Sequence, residues 1–362
     1  MQKNIKKLLE EWINYRFLHG KWQWKSEDQR LEAKKRIFGK IENEISLDEK
    51  RSVSWIKPLS LAASLIVVGC LWLYLSQQRS YTTIQPNSSI TKIVEPGTES
   101  AILTLEDGTT INLDDHTGGI LSKNNYRTIR KDTTGQIKYL AVKGLDKTSI
   151  SRNTITVPLG GLFEVVLPDE TKVWLNSATS LTYPSRFTGN ERKVELKGEA
   201  YFQVAKNEEL PFKIIAGDNE IKVTGTEFNV SAYEDDQQVA TTLIEGGVIV
   251  SKGQSQLRLM PGEQSISVTN SDYFIRKKID TDLALGWMNG YFIFDDQDVE
   301  SIMREISRWY NVEVVFKKEN GNKKIIGGMF SRDKSVEDLV TFLEKLNVGK
   351  FEKSGRRITV MI

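Results

Sequence analysis

Apolar and polar positions change their spacing several times along this chain. Ile5, Leu8, Leu9, Trp12, Ile13 and Phe17 recur at three- and four-residue intervals, which puts them on one face of an amphipathic helix. Ser26 with Gln29 reads as a capping box, and the helix after it carries Leu31, Ile37, Phe38, Ile41 and Ile45. Residues 1–57 are therefore expected to form a small all-α domain, with a core too small to be more than marginally stable alone. Such a face invites a partner groove, although it can also close on itself.

Residues 58–78 carry no charge, and their centre, 59–75, reads LSLAASLIVVGCLWLYL. At about 1.5 Å per residue this is roughly 25 Å of helix, the short end of a bilayer span. Trp55, Trp72 and Tyr74 stand where interfacial aromatics belong. The pattern predicts a single transmembrane helix. A buried core helix would show polar periodicity, and a cleavable signal peptide would not follow 57 structured residues. A polar linker is expected over 79–95.

From 96 to 278 the pattern shortens to strand-like runs separated by Gly, Asp and Asn, among them 163–167, 172–176, 193–196, 200–204, 220–223, 227–232 and 248–251. An echo at an offset of 62 matches Pro96, Leu105, Asp107, Thr109, Ile111 and Leu113 to Pro158, Leu167, Asp169, Thr171, Val173 and Leu175. The shared unit is a strand, an Asp-X-Thr turn and a second strand. It predicts an all-β domain with a duplicated hairpin, solenoid-like stacking being one arrangement it allows. Chance similarity between two hairpins explains the echo equally well.

Residues 287–362 read β-α-β-β-α-β-β, an α+β domain. Asp295 to Asp298 offer caps for a helix presenting Val299, Ile302, Met303, Ile306 and Trp309 on one face. Ser335 and Asp338 cap a second helix, with Val336, Leu339, Val340, Leu343 and Leu346. Trp174 and Trp309 both fall in apolar patterns and are expected in cores.

Composition removes several functions. The 362 residues hold 50 Lys+Arg against 48 Asp+Glu, so no basic field speaks for direct nucleic-acid binding. His19, His116 and Cys70 are the only residues of their types, which excludes a Cys/His zinc site and any intrachain disulfide. A Ser-His-Asp site would rest on His116 alone. Neither metal nor cofactor is expected. Residues 1–57 carry net +5 and the rest net −3, and Lys50, Arg51 and Lys57 precede the apolar run while Arg79 alone follows it closely. The positive-inside rule then expects an inner-membrane, single-pass protein, N-terminus cytoplasmic and C-terminus periplasmic.

A set of motifs carries a family resemblance. Pro158-Leu159-Gly160-Gly161 is followed by Leu167-Pro168-Asp169-Glu170-Thr171-Lys172-Val173-Trp174-Leu175-Asn176 and Leu181-Thr182-Tyr183-Pro184. Then come Arg192-Lys193-Val194-Glu195-Leu196-Lys197-Gly198-Glu199-Ala200-Tyr201-Phe202, Pro211-Phe212, Gly225-Thr226-Glu227-Phe228-Asn229-Val230 and Leu243-Ile244-Glu245-Gly246-Gly247-Val248. In this order they resemble the FecR family of membrane-spanning anti-sigma regulators, except that Glu170 stands where the family usually has Gly. Trp287, Gly290, Phe292, Phe294, Trp309-Tyr310 and Gly328 resemble the C-terminal domain of Bacteroidetes-type members, similar to the secretin/TonB N-terminal fold. The resemblance implies a relay. The signalling domain of an outer-membrane TonB-dependent transporter would engage the C-terminal domain, and the cytoplasmic domain would release or activate an extracytoplasmic-function sigma factor.

Candidate sites follow. Leu8, Trp12, Ile13 and Phe17 would face the sigma factor. Residues 357–362 (Arg357, Ile358, Thr359, Val360, Met361, Ile362) would form a sheet edge receiving the transporter, although the sequence equally allows this strand a central position. The resemblance also implies self-cleavage at Gly225-Thr226, by attack of the Thr hydroxyl on the preceding carbonyl. A bulge glycine before a strand threonine is the favoured reading, since no base is evident nearby. Glu234-Asp235-Asp236 and Asp295-Asp296-Asp298 lack EF-hand spacing and read as a turn and a helix cap. A tethered glycan-binding or adhesion protein is the alternative function and would cluster exposed aromatics on one face. A hydrolase would need a convergent polar site that the sequence does not show.

Overall fold

The structure is a computed structural model that describes residues 94–114, 118–123, 127–131, 137–141, 150–269, 271–317 and 325–362. The first strands are β1 (Thr98–Glu99), β2 (Ile102–Thr104), β3 (Thr110–Asn112), β4 (Gly119–Lys123), β5 (Arg127–Lys131), β6 (Ile137–Ala141), β7 (Arg152–Val157), β8 (Gly161–Val166) and β9 (Lys172–Leu175). They continue as β10 (Thr179–Pro184), β11 (Arg192–Gln203), β12 (Phe212–Ala216), β13 (Asn219–Val223), β14 (Glu227–Ala232), β15 (Gln238–Glu245), β16 (Val248–Lys252), β17 (Ser255–Leu259), β18 (Glu263–Val268) and β19 (Phe274–Lys278). After them come α1 (Thr281–Leu285), β20 (Tyr291–Asp298), α2 (Val299–Tyr310), β21 (Glu313–Lys317), β22 (Ile325–Ser331), α3 (Val336–Lys345), β23 (Lys350–Ser354) and β24 (Arg357–Met361).

Two sheets share one apolar core. The first runs β17-β16-β13-β12-β11-β10-β7-β2-β3 and the second β1-β8-β9-β11-β14-β15-β18-β19. They are joined because β11 serves both: its first half pairs with β10 and β12, its second with β9 and β14. The bend falls at Gly198, where φ is +96° and a Cβ would lie 2.5 Å from the Thr179 hydroxyl, so only glycine lets the strand change sheets here. Alternate residues of both sheets, such as Leu181, Val194, Phe202, Phe212 and Phe228, are buried between them. Sequence alternation had marked the two halves of β11 as separate strands.

The echo is a true structural repeat of the hairpin. Leu105 N–H donates to Thr109 O at 2.9 Å, as Leu167 N–H does to Thr171 O at 2.8 Å. Asp107 and Asp169 each accept from the N–H two residues on, at 2.9 and 3.3 Å. The two hairpins sit in different sheets and no solenoid follows. Neighbouring strands such as β12-β13 and β16-β17 pair antiparallel, whereas stacked coils of a β-solenoid pair in parallel.

The second core gathers Phe292, Ile302, Met303, Ile306, Leu339, Leu343, Ile358 and Val360 between two helices, the two-stranded sheet β20-β22 and the three-stranded sheet β21-β24-β23. Asp298 and Ser335 cap α2 and α3, as their spacing predicts. The fold class needs correction. The described chain is mostly β-sheet with few helices and no closed barrel, and no helix among the described residues is long and apolar enough to cross a membrane. The expected all-α domain over 1–57 and transmembrane helix over 58–78 lie outside the described residues, as do Leu8, Trp12, Ile13 and Phe17.

Candidate functional site

The site is the junction between the β-sandwich and the C-terminal α/β module. On β9, β11 and β14 the side chains opposite the core side, Glu199, Tyr201 and Asn229 among them, form the outer face of the second sheet. This face is polar yet covered. The Glu199 carboxylate accepts from Asn176 Nδ2 at 2.8 Å and Asn229 Nδ2 at 3.0 Å. Trp287 Nε1 donates to Asn229 Oδ1 at 3.2 Å, and Arg332 Nη1 to Asn176 Oδ1 at 3.2 Å. Arg332 is itself buried, with its guanidinium 4.6 Å from the Phe292 ring and 4.9 Å from that of Trp309.

A second group lies beside it. Arg308, on α2, donates to Asp235 at 2.7 Å and Asp236 at 2.9 Å, and covers the Tyr233 ring at 3.7 Å. Arg304 Nε donates to Asp236 at 2.7 Å. The acidic triplet is a 3-10 turn in which Asp235 and Asp236 are taken up by arginines, while Glu234 accepts from the Lys197 ammonium at 3.3 Å. Burial, then repulsion from Glu199, pushes the Glu305 carboxyl up to about 7, against the opposing pull of Arg332 and Arg308. Burial raises Glu199 as well, although Asn229 and Asn176 support its charge. The junction thus holds two carboxyls against two arginines in a dry setting, which makes docking sensitive to charge.

The other predicted positions are distributed elsewhere. Thr226 is buried, and its hydroxyl donates to Gly247 O at 3.0 Å. A peptide carbonyl is not a general base, and Gly225 packs against Lys206, where a Cβ would lie 2.8 Å from Cα. Residues 357–362 are corrected from edge to centre: β24 pairs with β21 on one side and β23 on the other. Arg357, Ile358, Thr359, Val360 and Met361 therefore cannot accept a strand, Ile358 and Val360 being wholly buried, and Ile362 packs on the core beside them. Trp309 is a core residue as expected, but Trp174 is half-buried on the outer face, 5.4 Å from the Tyr201 ring.

Sequence reasoning missed Glu199, Asn176, Arg308 and Arg332. The first two lie inside quoted motifs, and that was the available signal. A charge at an alternate strand position ordinarily reads as solvent-facing.

The family described as FecR protein matches residues 153–249, and that described as FecR, C-terminal matches 291–360. A crystal structure at 1.65 Å of a protein described as an anti-sigma factor from Parabacteroides distasonis ATCC 8503 is 32% identical, with TM-score 0.55. The match covers 57% of this chain and 97% of that one. A second structure so described, at 2.50 Å from the same organism, is 31% identical over 58% of this chain and 98% of its own, again with TM-score 0.55. No curated protein matches the chain.

Proposed function

Because the chain belongs to the FecR family of anti-sigma factors, we propose that it relays a signal from a TonB-dependent outer-membrane transporter to an extracytoplasmic-function sigma factor. In this reading the transporter's signalling domain meets the α/β module in the periplasm, and residues 1–57 hold the sigma factor on the cytoplasmic side. The observation that carries it is the junction. A module docked through charges and side-chain amides can be repositioned by a partner far more readily than one sealed by an apolar seam. The module's strands β20, β22, β21 and β23 are each paired on one side only among the described residues, and strand addition is one way a partner takes hold.

The test has two arms. The full-length chain should bind the transporter's isolated signalling domain saturably, and absence of binding would overturn the transporter half. It should also retain the sigma factor, with Trp12→Ala weakening that contact by about 2 kcal/mol if Trp12 is an anchor. Sigma binding indifferent to every change at Leu8, Trp12, Ile13 and Phe17 would overturn the other half.

Glycan binding or adhesion is less well supported. Among the described residues the strongly exposed large hydrophobic side chains include one aromatic, Tyr273, and no aromatic cluster.

A further inference from the structure

Residues 94–99 are gripped by both halves of the junction at once. Val94 is 2% exposed and packs in the core of the C-terminal module, whose other fully buried members all come from 292–360. Against the upward push of burial, the Lys353 ammonium and, to a smaller extent, the Val94 N–H hold the Glu337 carboxyl on α3 below its ordinary value. Three residues on, Gly97 passes beneath Trp309, where a Cβ would lie 2.7 Å from the indole and 2.6 Å from Gly160 O. Thr98 and Glu99 then form β1, a two-residue parallel pairing with β8 of the sandwich. Thr98 N–H donates to Gly160 O at 2.8 Å, and Gly160 N–H donates to Arg308 O at 2.7 Å in the last turn of α2. Gly160 therefore bonds to the segment and to the module together.

We infer that residues 94–99 are a coupling strap, seated only while the C-terminal module is docked on the sandwich and released when a partner shifts the module. The argument is geometric. If the module moves, Val94 either follows it, which strips β1 from β8, or stays, which leaves a hole in the module's core. The strap cannot keep both attachments. It is also the weakest piece held between the two, with two paired residues and one buried anchor, so it opens before either core does. Release therefore passes the movement of the module to the chain at Val94. That makes the strap the mechanical output of the junction. Its place in signalling rests on the relay proposed above, whereas its dependence on docking does not.

Trypsin cleavage after Lys92 in the full-length chain reads the strap directly. Proteases need several extended residues on either side of the bond, and Val94 is among them. Gly97→Ala unseats the strap without removing a core atom, and Asp236→Asn weakens docking through Arg304 and Arg308 without touching the strap. Each should speed this cleavage at least tenfold while other cleavages stay at the wild-type rate. Wild-type rates in either variant would overturn the proposal. So would acceleration spread over the whole sandwich, because that reports general unfolding. Adding the transporter's signalling domain to the unmodified chain should give the same local acceleration. If that domain binds and cleavage is unchanged, the coupling is wrong. If it does not bind while both variants accelerate cleavage, the strap stands and the relay reading falls.

Discussion

Arg192 Nη1 donates to Asp169 Oδ2 at 2.8 Å from a position only 2% exposed, tying the start of β11 to the Asp-Glu-Thr turn. The guanidinium also donates to Leu210 O and Ala205 O, each at 2.8 Å, and lies 5.4 Å from the Phe212 ring. Asp169 accepts from the Thr171 hydroxyl at 2.7 Å. One buried cation thus ties the β8-β9 turn and the β11-β12 loop to the start of β11.

Removing one partner leaves the other charged and dry. Asp169→Ala is expected to destabilise the protein by about 3 kcal/mol. Arg192→Lys should cost nearly as much, since an ammonium cannot reproduce the planar fork that reaches Leu210, Ala205 and Asp169 together. Urea unfolding measures both, and a loss below about 1 kcal/mol in either would contradict this account.

The neighbouring turn offers the opposite experiment. Glu170 holds φ at +70°, where its counterpart in the repeated hairpin, Gly108, has +81°. A side chain in the left-handed region is strained, and Glu170 is exposed, so its carboxylate has no packing to lose. Glu170→Gly should therefore stabilise the protein by about 0.5–1 kcal/mol, the relief of strain exceeding the added freedom of the unfolded chain. A lower urea midpoint in the variant would count against it.

Local chemistry explains what was readable in advance. Alternation located β8, β9, β13, β14 and β16, and the side-chain caps Asp298 and Ser335 located the starts of α2 and α3. What escaped depends on neighbours distant in sequence. The 357–362 run has the same alternation whether its strand is central or at an edge, and only the positions of β21 and β23 decide. Val94 stood in a segment read as polar linker, because a single valine has no period. Arg332 and Glu199 looked like surface charges until the module covered them. Gly198 looked like a break between strands because a bend and a break use the same residue.

Glu305 makes docking depend on pH. Its folded-state value of about 7 lies above the ordinary 4.5, raised first by burial and then by Glu199 and Asp236, and opposed by Arg332 and Arg308. The sign follows from linkage. A raised carboxyl binds its proton more tightly when docked, so docking is favoured below the unfolded value and loses that advantage as pH rises through about 7. Lowering the pH from 8 to 5 should strengthen the junction by on the order of 2 kcal/mol. Glu305→Gln should flatten the slope between pH 5 and 8. Trypsin cleavage rates across that range would show it, and an unchanged slope in the variant would assign the effect elsewhere.

The module's sheet separates binding from stability. Val360 is fully buried in the central strand β24, and Val315 is 37% exposed on β21, which pairs only with β24 among the described residues. Val360→Asp places a carboxylate in a closed core and should unfold the module, at a cost of 3 kcal/mol or more. Val315→Lys puts a charge on a half-open strand, where proteins often carry one to discourage pairing, and should change stability by less than about 0.5 kcal/mol. If the transporter's signalling domain adds a strand beside β21, Val315→Lys should nevertheless weaken its binding about tenfold, while a matched change on β23, Glu352→Lys, should not. Calorimetric titration with the purified domain distinguishes them. Full affinity in Val315→Lys with a loss in Glu352→Lys would move the docking edge to β23, and full affinity in both would remove strand addition at the β21-β24-β23 sheet from the recognition.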